Sequence, residues 1–198
     1  RDPEMSRGLG DVYKRQVLSC FGCSSPVHED DRGCAFVSDS IQYRVEFMSA
    51  GCVRILSFPE GDTLVTRRLV VDSEKPAFKD YKWEDTGQKL LFRTRELSVV
   101  FDKADVAFTF QETSTGKLLL KEKGDRKARN FKRSVAGGEQ CLEVTQRFVP
   151  TEDEAIYGLG QYQNGIMNYR GKSVLLLQAN MDIVNPFLIS TNGYGVLW

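Results

Sequence analysis

The stretch that decides the fold runs from residue 156 to residue 198 and reads IYGLGQYQNGIMNYRGKSVLLLQANMDIVNPFLISTNGYGVLW. Its short apolar runs, Val174–Leu177, Pro186–Ile189 and Gly195–Trp198, are separated by residues that favour turns. This pattern predicts buried strands joined by turns. Gly158 and Gly160 allow the backbone a positive φ or a close approach to a neighbouring strand.

The same alternation continues upstream of this stretch, from Cys34 onward. Ile41, Tyr43, Val45 and Phe47 alternate with polar residues, which is the period of a half-buried strand. Further strands are predicted at 52–58, 69–71, 89–94, 97–102, 106–110, 117–121 and 140–148. No segment has the apolar spacing of an amphipathic helix longer than about two turns. We therefore predict an all-β fold, an antiparallel β-sandwich over residues 34–198.

Four pieces of the 156–198 stretch resemble the end of the N-terminal domain of glycoside hydrolase family 31, the α-glucosidases and α-xylosidases. In chain order they are Tyr157-Gly158-Leu159-Gly160-Gln161, Asn168-Tyr169-Arg170-Gly171, Pro186-Phe187-Leu188-Ile189-Ser190 and Gly193-Tyr194-Gly195-Val196-Leu197-Trp198. The variants at 161–165 and 178–181 look closer to the bacterial α-xylosidase-like branch. The resemblance implies a sandwich of the galactose-mutarotase-like type, placed ahead of a catalytic barrel that hydrolyses α-linked oligosaccharides.

The catalytic groups of such an enzyme are expected outside this chain. Retaining glycosidases use two carboxylates about 5–5.5 Å apart, one as nucleophile and one as acid/base. The resemblance implies that both are barrel aspartates, with the nucleophile in a motif like Trp-x-Asp-Met-x-Glu. Trp83-Glu84-Asp85 is the nearest match in this chain and does not fit. We therefore predict no catalytic residue within this chain, no cofactor, and no activity of the chain alone.

A polar loop, residues 178–185, precedes Pro186 and is the candidate substrate contact. The resemblance implies that this loop reaches over the barrel mouth and contacts the leaving-group sugar. Asn180 and Asp182 are the candidate substrate-binding residues, because an amide or a carboxylate accepts hydrogen bonds from vicinal sugar hydroxyls. The alternative is ordinary turn chemistry, in which both side chains bond their own backbone.

The first part of the chain is interpreted separately. Residues 6–16, SRGLGDVYKRQ, match the translation of a common transposon-based sequencing adapter, so residues 1–16 are set aside as an artefact. Val17-Leu18-Ser19-Cys20 resembles the tail of a bacterial lipoprotein signal, which predicts a lipid on Cys20 and a periplasmic or outer-membrane location. Residues 17–33 are then a signal tail and flexible tether, with residues 1–30 disordered. The alternatives are a buried strand or a Cys20-x-x-Cys23 metal or redox motif.

Charge and cysteine usage restrict the remaining partners. The chain has 27 basic and 27 acidic residues, which gives no reason to expect nucleic acid, or a membrane except through the lipid. The other cysteines are scattered and His28 is the only histidine, so we expect no zinc site, which needs four ligands. The basic residues between 121 and 133 are interrupted by Glu122 and Asp125, which predicts a solvated hairpin edge. The adjacent carboxylates of residues 152–154 are also predicted to be solvated.

Three functional hypotheses follow. The first is the N-terminal domain of an α-glycosidase, with its own barrel and an α-linked oligosaccharide as partners. The second is a stand-alone carbohydrate-binding sandwich, for which Tyr81, Trp83 and Tyr162 supply aromatic rings. The third is a structural surface lipoprotein. Exposed aromatic side chains on one sheet face would favour the second hypothesis.

Overall fold

The computed structural model describes residues 26–62, 77–127 and 129–198. In these ranges the regular structure consists of antiparallel strands, so no helix there could cross a membrane. The adapter-like residues 1–16, the lipidation candidate Cys20 and the strand predicted at 69–71 lie outside the described residues.

Two sheets form the sandwich. The first has the strand order β1 (His28–Glu29), β2 (Cys34–Ser38), β3 (Ile41–Ser49) and β4 (Cys52–Pro59). The second has the order β5 (Lys82–Asp85), β6 (Lys89–Arg93), β7 (Leu97–Asp102), β8 (Ala107–Glu112) and β9 (Leu118–Lys121). Every neighbouring pair is antiparallel and adjacent in the chain, as expected for strands joined by short hairpin turns.

Aromatic side chains from both sheets fill the space between them. Phe101 of β7 lies 4.8 Å from Phe36, 5.1 Å from Tyr43 and 4.9 Å from Phe108 between ring centroids. All four rings are buried. Tilted rings at these separations add a favourable electrostatic contact to the burial of apolar area. The alternation along β3 is confirmed, because Tyr43, Val45 and Phe47 all point into this core.

The sandwich begins earlier than the sequence predicts. His28–Glu29 pairs with β2, and the Glu29 carboxylate accepts hydrogen bonds from the Tyr81 hydroxyl and the Trp83 indole N–H, both at 2.9 Å. Asp30 binds both guanidinium nitrogens of Arg44, which holds the pKa of Asp30 well below its usual range. Residues 28–30, which the sequence predicts to be part of a flexible tether, thus join the edges of the two sheets.

A hairpin of β10 (Arg129–Ala136) and β11 (Glu139–Gln146) projects from the sandwich. Lys132 and Arg133 are exposed on β10, as the predicted hairpin edge requires. Glu122 and Arg129 differ from that prediction, because they form a buried ion pair. The Arg129 guanidinium also lies 5.3 Å from the Tyr43 ring and 5.2 Å from the Phe108 ring, so the hairpin is anchored to the aromatic core.

A third sheet follows, with the order β12 (Ile156–Gln161), β13 (Ile183–Ser190) and β14 (Tyr194–Leu197). It contains two of the apolar runs predicted as strands. The third run, Val174–Leu177, is neither a strand nor buried. Leu175 is 79% exposed and Leu177 is 59% exposed, so the prediction of a buried strand there is wrong.

Candidate functional site

The third sheet depends on the two glycines of β12. Gly158 has φ +100° and Gly160 has φ +115°, and a register shift lies between them. A Cβ on Gly160 would lie 2.0 Å from the carbonyl oxygen of Ile183, and one on Gly158 would lie 2.6 Å from that of Phe187. No side chain fits at either position. Both expectations, positive φ and close approach, are confirmed, and β12 therefore lies directly against β13.

One end of this sheet carries the predicted substrate loop. The loop is shorter than predicted, because β13 begins at Ile183 and a tight turn occupies residues 179–182. The amide of Asp182 donates to the carbonyl of Ala179 at 3.3 Å. Met181, at the third position of the turn, has φ +71°, a conformation that usually requires Gly or Asn. Its side chain is 66% exposed.

The side chain of Gln178 spans this turn. Its Nε2 donates to the carbonyl of Asp182 and its Oε1 accepts from the amide of Val184, both at 3.0 Å. The side chain of Asn180 is exposed and that of Asp182 is half-buried, and neither makes a hydrogen bond within the described part of the chain. The turn is thus closed by backbone groups and by Gln178, so both candidate side chains can bind other groups.

A second polar turn lies at the same end of the sheet. Gln161 at the end of β12 pairs with Ile183 at the start of β13, which brings residues 162–165 beside the 179–182 turn. The Tyr162 hydroxyl donates to the carbonyl of Leu159 at 3.0 Å, and its ring meets the edge of Tyr169. Desolvation, Tyr169 and the carboxylate of Asp182 together raise the pKa of Tyr162. Tyr162 directly follows Gln161 and Asp182 directly precedes Ile183, the last paired residues of β12 and β13 at this end.

A buried carboxylate organises the opposite end of the sheet. Glu154 is 3% exposed, although it was predicted to be solvated with its neighbours. Its Oε1 accepts hydrogen bonds of 2.5 Å from the hydroxyls of both Ser190 and Tyr194, and its Oε2 accepts from the amide of Thr151 at 2.9 Å. Burial alone would raise the pKa of Glu154, but these hydrogen bonds lower it below its usual value. Burial, and next the hydrogen bond to Glu154, raise the pKa of the Tyr194 hydroxyl.

Arg170 completes this end of the sheet. Its guanidinium donates to the carbonyls of Thr151 and Glu154, and the Asn192 side chain donates to the Thr151 hydroxyl at 2.7 Å. The turn before β12, the turn after β13 and the Asn168-Tyr169-Arg170-Gly171 motif are thereby joined. That motif has a structural role here that its sequence alone did not indicate.

One face of the third sheet is apolar and open to solvent. We call it the apolar face, and it consists of Tyr157, Ile183, Phe187, Ile189 and Leu197. The register places Tyr157 opposite Ile189 and Phe187 opposite Leu197, so their side chains share one side. Ile189 is 50% exposed and Leu197 is 51% exposed. Leu175, Leu177 and Trp198 add further exposed apolar area.

The residues proposed for other sites are placed differently. Tyr81 and Trp83 are half-buried and pack against the sandwich core, with their polar atoms bound to Glu29. They do not form an exposed aromatic platform. No group of three or more His, Cys, Asp or Glu side chains within residues 26–62, 77–127 and 129–198 could hold a metal ion. Burial raises the pKa of the Cys34 thiol to about 11, so that thiol is not a nucleophile at neutral pH.

Two residues at this sheet were missed by sequence reasoning. The sequence places Gln178 in the polar loop but does not show what its side chain contacts. Its hydrogen bond to the amide of Val184, six residues later, depends on how the turn folds back. Glu154 lies 36 residues from Ser190 and 40 from Tyr194, so no local pattern connects them. The Gln178-Ala179-Asn180-Met181 segment was nevertheless part of the resemblance.

Comparison with known proteins agrees with this architecture. Residues 42–198 match the glycosyl hydrolase 31 N-terminal galactose mutarotase-like domain. The α-xylosidase of Saccharolobus solfataricus is 32% identical over 174 residues, which cover 80% of this chain and 22% of that protein. The chain thus spans about a fifth of that relative's length.

Solved structures agree as well. The structure of the GH31 α-xylosidase from Xanthomonas citri superposes with a TM-score of 0.73 at 30% identity, covering 87% of this chain and 19% of that one. A GH31 α-xylosidase from a soil metagenome, solved with xylose, gives 0.67 at 25% identity, covering 88% and 28%. The chain therefore belongs to glycoside hydrolase family 31, in which the matched residues form the N-terminal galactose-mutarotase-like β-sandwich domain.

Proposed function

We propose that this chain is the non-catalytic N-terminal domain of a retaining α-glycosidase, an α-xylosidase or α-glucosidase that hydrolyses α-linked oligosaccharides. In this proposal the domain supports the catalytic barrel and shapes the leaving-group sugar subsite. The observation that carries it is the apolar face of the third sheet. No other described element covers this face, although its side chains are of the kind that normally lie in a core.

The occupant of the apolar face is the remainder of the same polypeptide. A contiguous apolar patch of this kind on an otherwise charged domain marks an interaction surface. The relatives supply the reason for this choice of partner, because about four-fifths of the S. solfataricus enzyme lies outside the matched region. Leu175 and Leu177 belong to the same interface, which explains an apolar run that forms no strand.

The position of the substrate loop follows from this docking. The turn at 179–182 lies at the end of β13, the strand that also carries Phe187 and Ile189 of the apolar face. A barrel bound to that face would therefore lie close to Asn180 and Asp182. Their amide and carboxylate, which make no hydrogen bond within the described residues, suit hydrogen bonding to sugar hydroxyls. The barrel supplies the two catalytic carboxylates, one as nucleophile and one as acid/base.

The test compares the chain with the complete gene product. The complete protein should hydrolyse an aryl α-xyloside or an aryl α-glucoside, and residues 17–198 alone should not. Ile189→Asp in the complete protein should lower its melting temperature and its yield of soluble protein, because a charge on the apolar face opposes docking. Val135→Asp is the matched control, since Val135 is 65% exposed on the β10–β11 hairpin. Turnover by the chain alone, or equal effects of the two substitutions, would contradict the proposal.

A lipid anchor on Cys20 is part of the proposal for this protein's location in the periplasm or at the outer membrane. It is supported by Val17-Leu18-Ser19-Cys20. Eight residues from Cys20 to β1 span at most about 26–29 Å. An anchored domain would therefore hold its β1 edge within that distance of the bilayer. Incorporation of labelled fatty acid into the complete protein, and its loss in Cys20→Ala, tests the anchor. Unlabelled wild-type protein would contradict it.

A further inference from the structure

We propose that Gln178 is a positioning residue of the leaving-group subsite, holding the 179–182 turn in the one conformation that presents Asn180 and Asp182 together. The inference rests on the proposed function and assigns a role to a residue that need not touch the substrate. Its basis is the pair of hydrogen bonds that the Gln178 amide makes across the turn.

The turn requires an external support because its own sequence does not favour its shape. Met181 has φ +71°, and a residue with a Cβ pays a steric penalty in this region that Gly avoids. The turn's backbone hydrogen bond, from Asp182 to Ala179, is long at 3.3 Å. Neither the residue type nor the backbone bond therefore holds the turn in this conformation.

Gln178 supplies that support from within the loop. Its Oε1 accepts a hydrogen bond from the amide of Val184, the second residue of β13. The Nε2 of the same side chain donates to the carbonyl of Asp182, the last residue of the turn. One side chain thus fixes both the turn and the start of the strand that follows it.

The consequence concerns Asn180 and Asp182, which lie on either side of Met181. Because their side chains make no hydrogen bonds within the described residues, only the backbone of the turn determines their directions. Loss of the clamp should let Met181 return to a negative φ, which changes the direction of both side chains. A sugar with two neighbouring hydroxyls can bind both groups at once. Gln178 should therefore affect substrates with a leaving-group sugar and spare those without one.

The first measurement concerns the clamp itself and uses the 198-residue chain without any substrate. Hydrogen exchange followed by NMR should show a protected Val184 amide in the wild type. In Gln178→Ala the protection should fall about threefold to tenfold, as expected for one lost hydrogen bond at an exposed site. Gln140→Ala is the matched control, because Gln140 is exposed on β11 and makes no side-chain hydrogen bond within the described residues. Unchanged Val184 protection in Gln178→Ala would overturn the proposal.

The second measurement uses the complete protein and two substrates. One is an α-linked xylose or glucose disaccharide and the other is the corresponding aryl glycoside. Gln178→Ala should lower kcat/KM for the disaccharide about threefold to tenfold relative to the aryl glycoside, on the scale of one hydrogen bond. An equal fall for both substrates would show a general structural role and would overturn the proposal. A wild-type protein that hydrolyses neither substrate would overturn the proposed function, and the inference with it, whatever the exchange data show.

A rescue variant separates positioning from direct contact. Met181→Gly removes the steric penalty at φ +71°, so the turn no longer depends as strongly on the clamp. Gln178→Ala should therefore change the substrate ratio less in a Met181→Gly background than in the wild type. If the Gln178→Ala effect is the same in both backgrounds, Gln178 contacts the sugar directly, and the positioning role is wrong.

Discussion

The sandwich and the third sheet are stabilised by different kinds of contact. Between the two sheets of the sandwich, aromatic rings such as Phe101 and Tyr43 are fully buried and touch one another. In the third sheet the apolar face is open to solvent, and a buried carboxylate, that of Glu154, is bonded to the buried Ser190. The sandwich therefore buries its apolar area within itself, whereas the third sheet leaves the apolar face exposed.

The largest expected effect is on the sandwich core. Phe101→Ala should lower the free energy of unfolding by about 3–5 kcal/mol, because it removes a buried ring and leaves a cavity among Phe36, Tyr43 and Phe108. Urea denaturation of the 198-residue chain measures it. Leu175→Ala, at a position between β12 and β13 that is 79% exposed, is the control and should change the same quantity by less than about 0.5 kcal/mol. Similar values for the two substitutions would remove the distinction between the regions.

The next effect is confined to the third sheet. Glu154→Ala leaves the hydroxyls of Ser190 and Tyr194 without their shared acceptor, which should cost about 1.5–3 kcal/mol of local stability. The backbone amides of residues 186–197 should lose protection from hydrogen exchange, and those of β7 should retain it. Glu152→Ala, at an exposed neighbouring position, should change neither region. Loss of protection throughout the chain would mean that the two regions unfold together.

A comparable or smaller effect is expected at the substrate turn of the complete protein. Asp182→Ala should cost about 1.5–3 kcal/mol in binding a leaving-group sugar and Asn180→Ala about 0.5–1.5 kcal/mol, since a charged acceptor makes the stronger hydrogen bond. These losses correspond to about threefold to a hundredfold in kcat/KM. An aryl glycoside should be much less affected.

Thermal melts are the control for the turn variants. Asn180 is exposed, and the half-buried Asp182 makes no side-chain hydrogen bond within the described residues, so folding should be unchanged. If kcat/KM falls equally for the disaccharide and the aryl glycoside, the turn has a general role in the shape of the site. A lower melting temperature with unchanged kinetics would make Asn180 and Asp182 structural residues.

The smallest effect is a pH dependence of the third sheet. The pKa of Glu154 lies below its ordinary value of 4.5, so its ionised form stabilises the folded state at neutral pH. That contribution should be fully present above about pH 4.5 and decrease as the pH falls through the folded pKa. The loss should be smaller than in Glu154→Ala, because a protonated carboxyl still forms hydrogen bonds. Protection of the backbone amides of residues 186–197 from hydrogen exchange, compared between pH 6 and pH 3, measures this loss of stability. A similar loss of protection at low pH in Glu154→Ala would show that Glu154 is not the titrating group.

The sandwich was more predictable than the third sheet for a physical reason. Strands such as β3 and β7 bury one face inside this chain, so their sequences alternate. β5 was missed because Lys82-Trp83-Glu84-Asp85 contains a single apolar residue, and β1 because it has only two residues. The Val174–Leu177 run was misassigned because an apolar run predicts a buried strand, and here its residues form no strand and three of its four are exposed. The Glu154 network and the Gln178 clamp depend on contacts that no periodicity reveals.

The two-residue strand β1 also bears on how the domain behaves in concentrated solution. It pairs with Ala35 and Cys34 and covers part of the edge of β2, which contains Phe36 and Val37. Unpaired strand edges are templates for aggregation, and short charged segments such as His28–Glu29 block them. A recombinant protein that starts at Cys34, the boundary indicated by hydrophobic periodicity, would lose this cover and the Asp30–Arg44 ion pair. Such a protein would expose β2 to other copies, so aggregation during refolding would depend on residues 26–33, of which Val27 packs against the core.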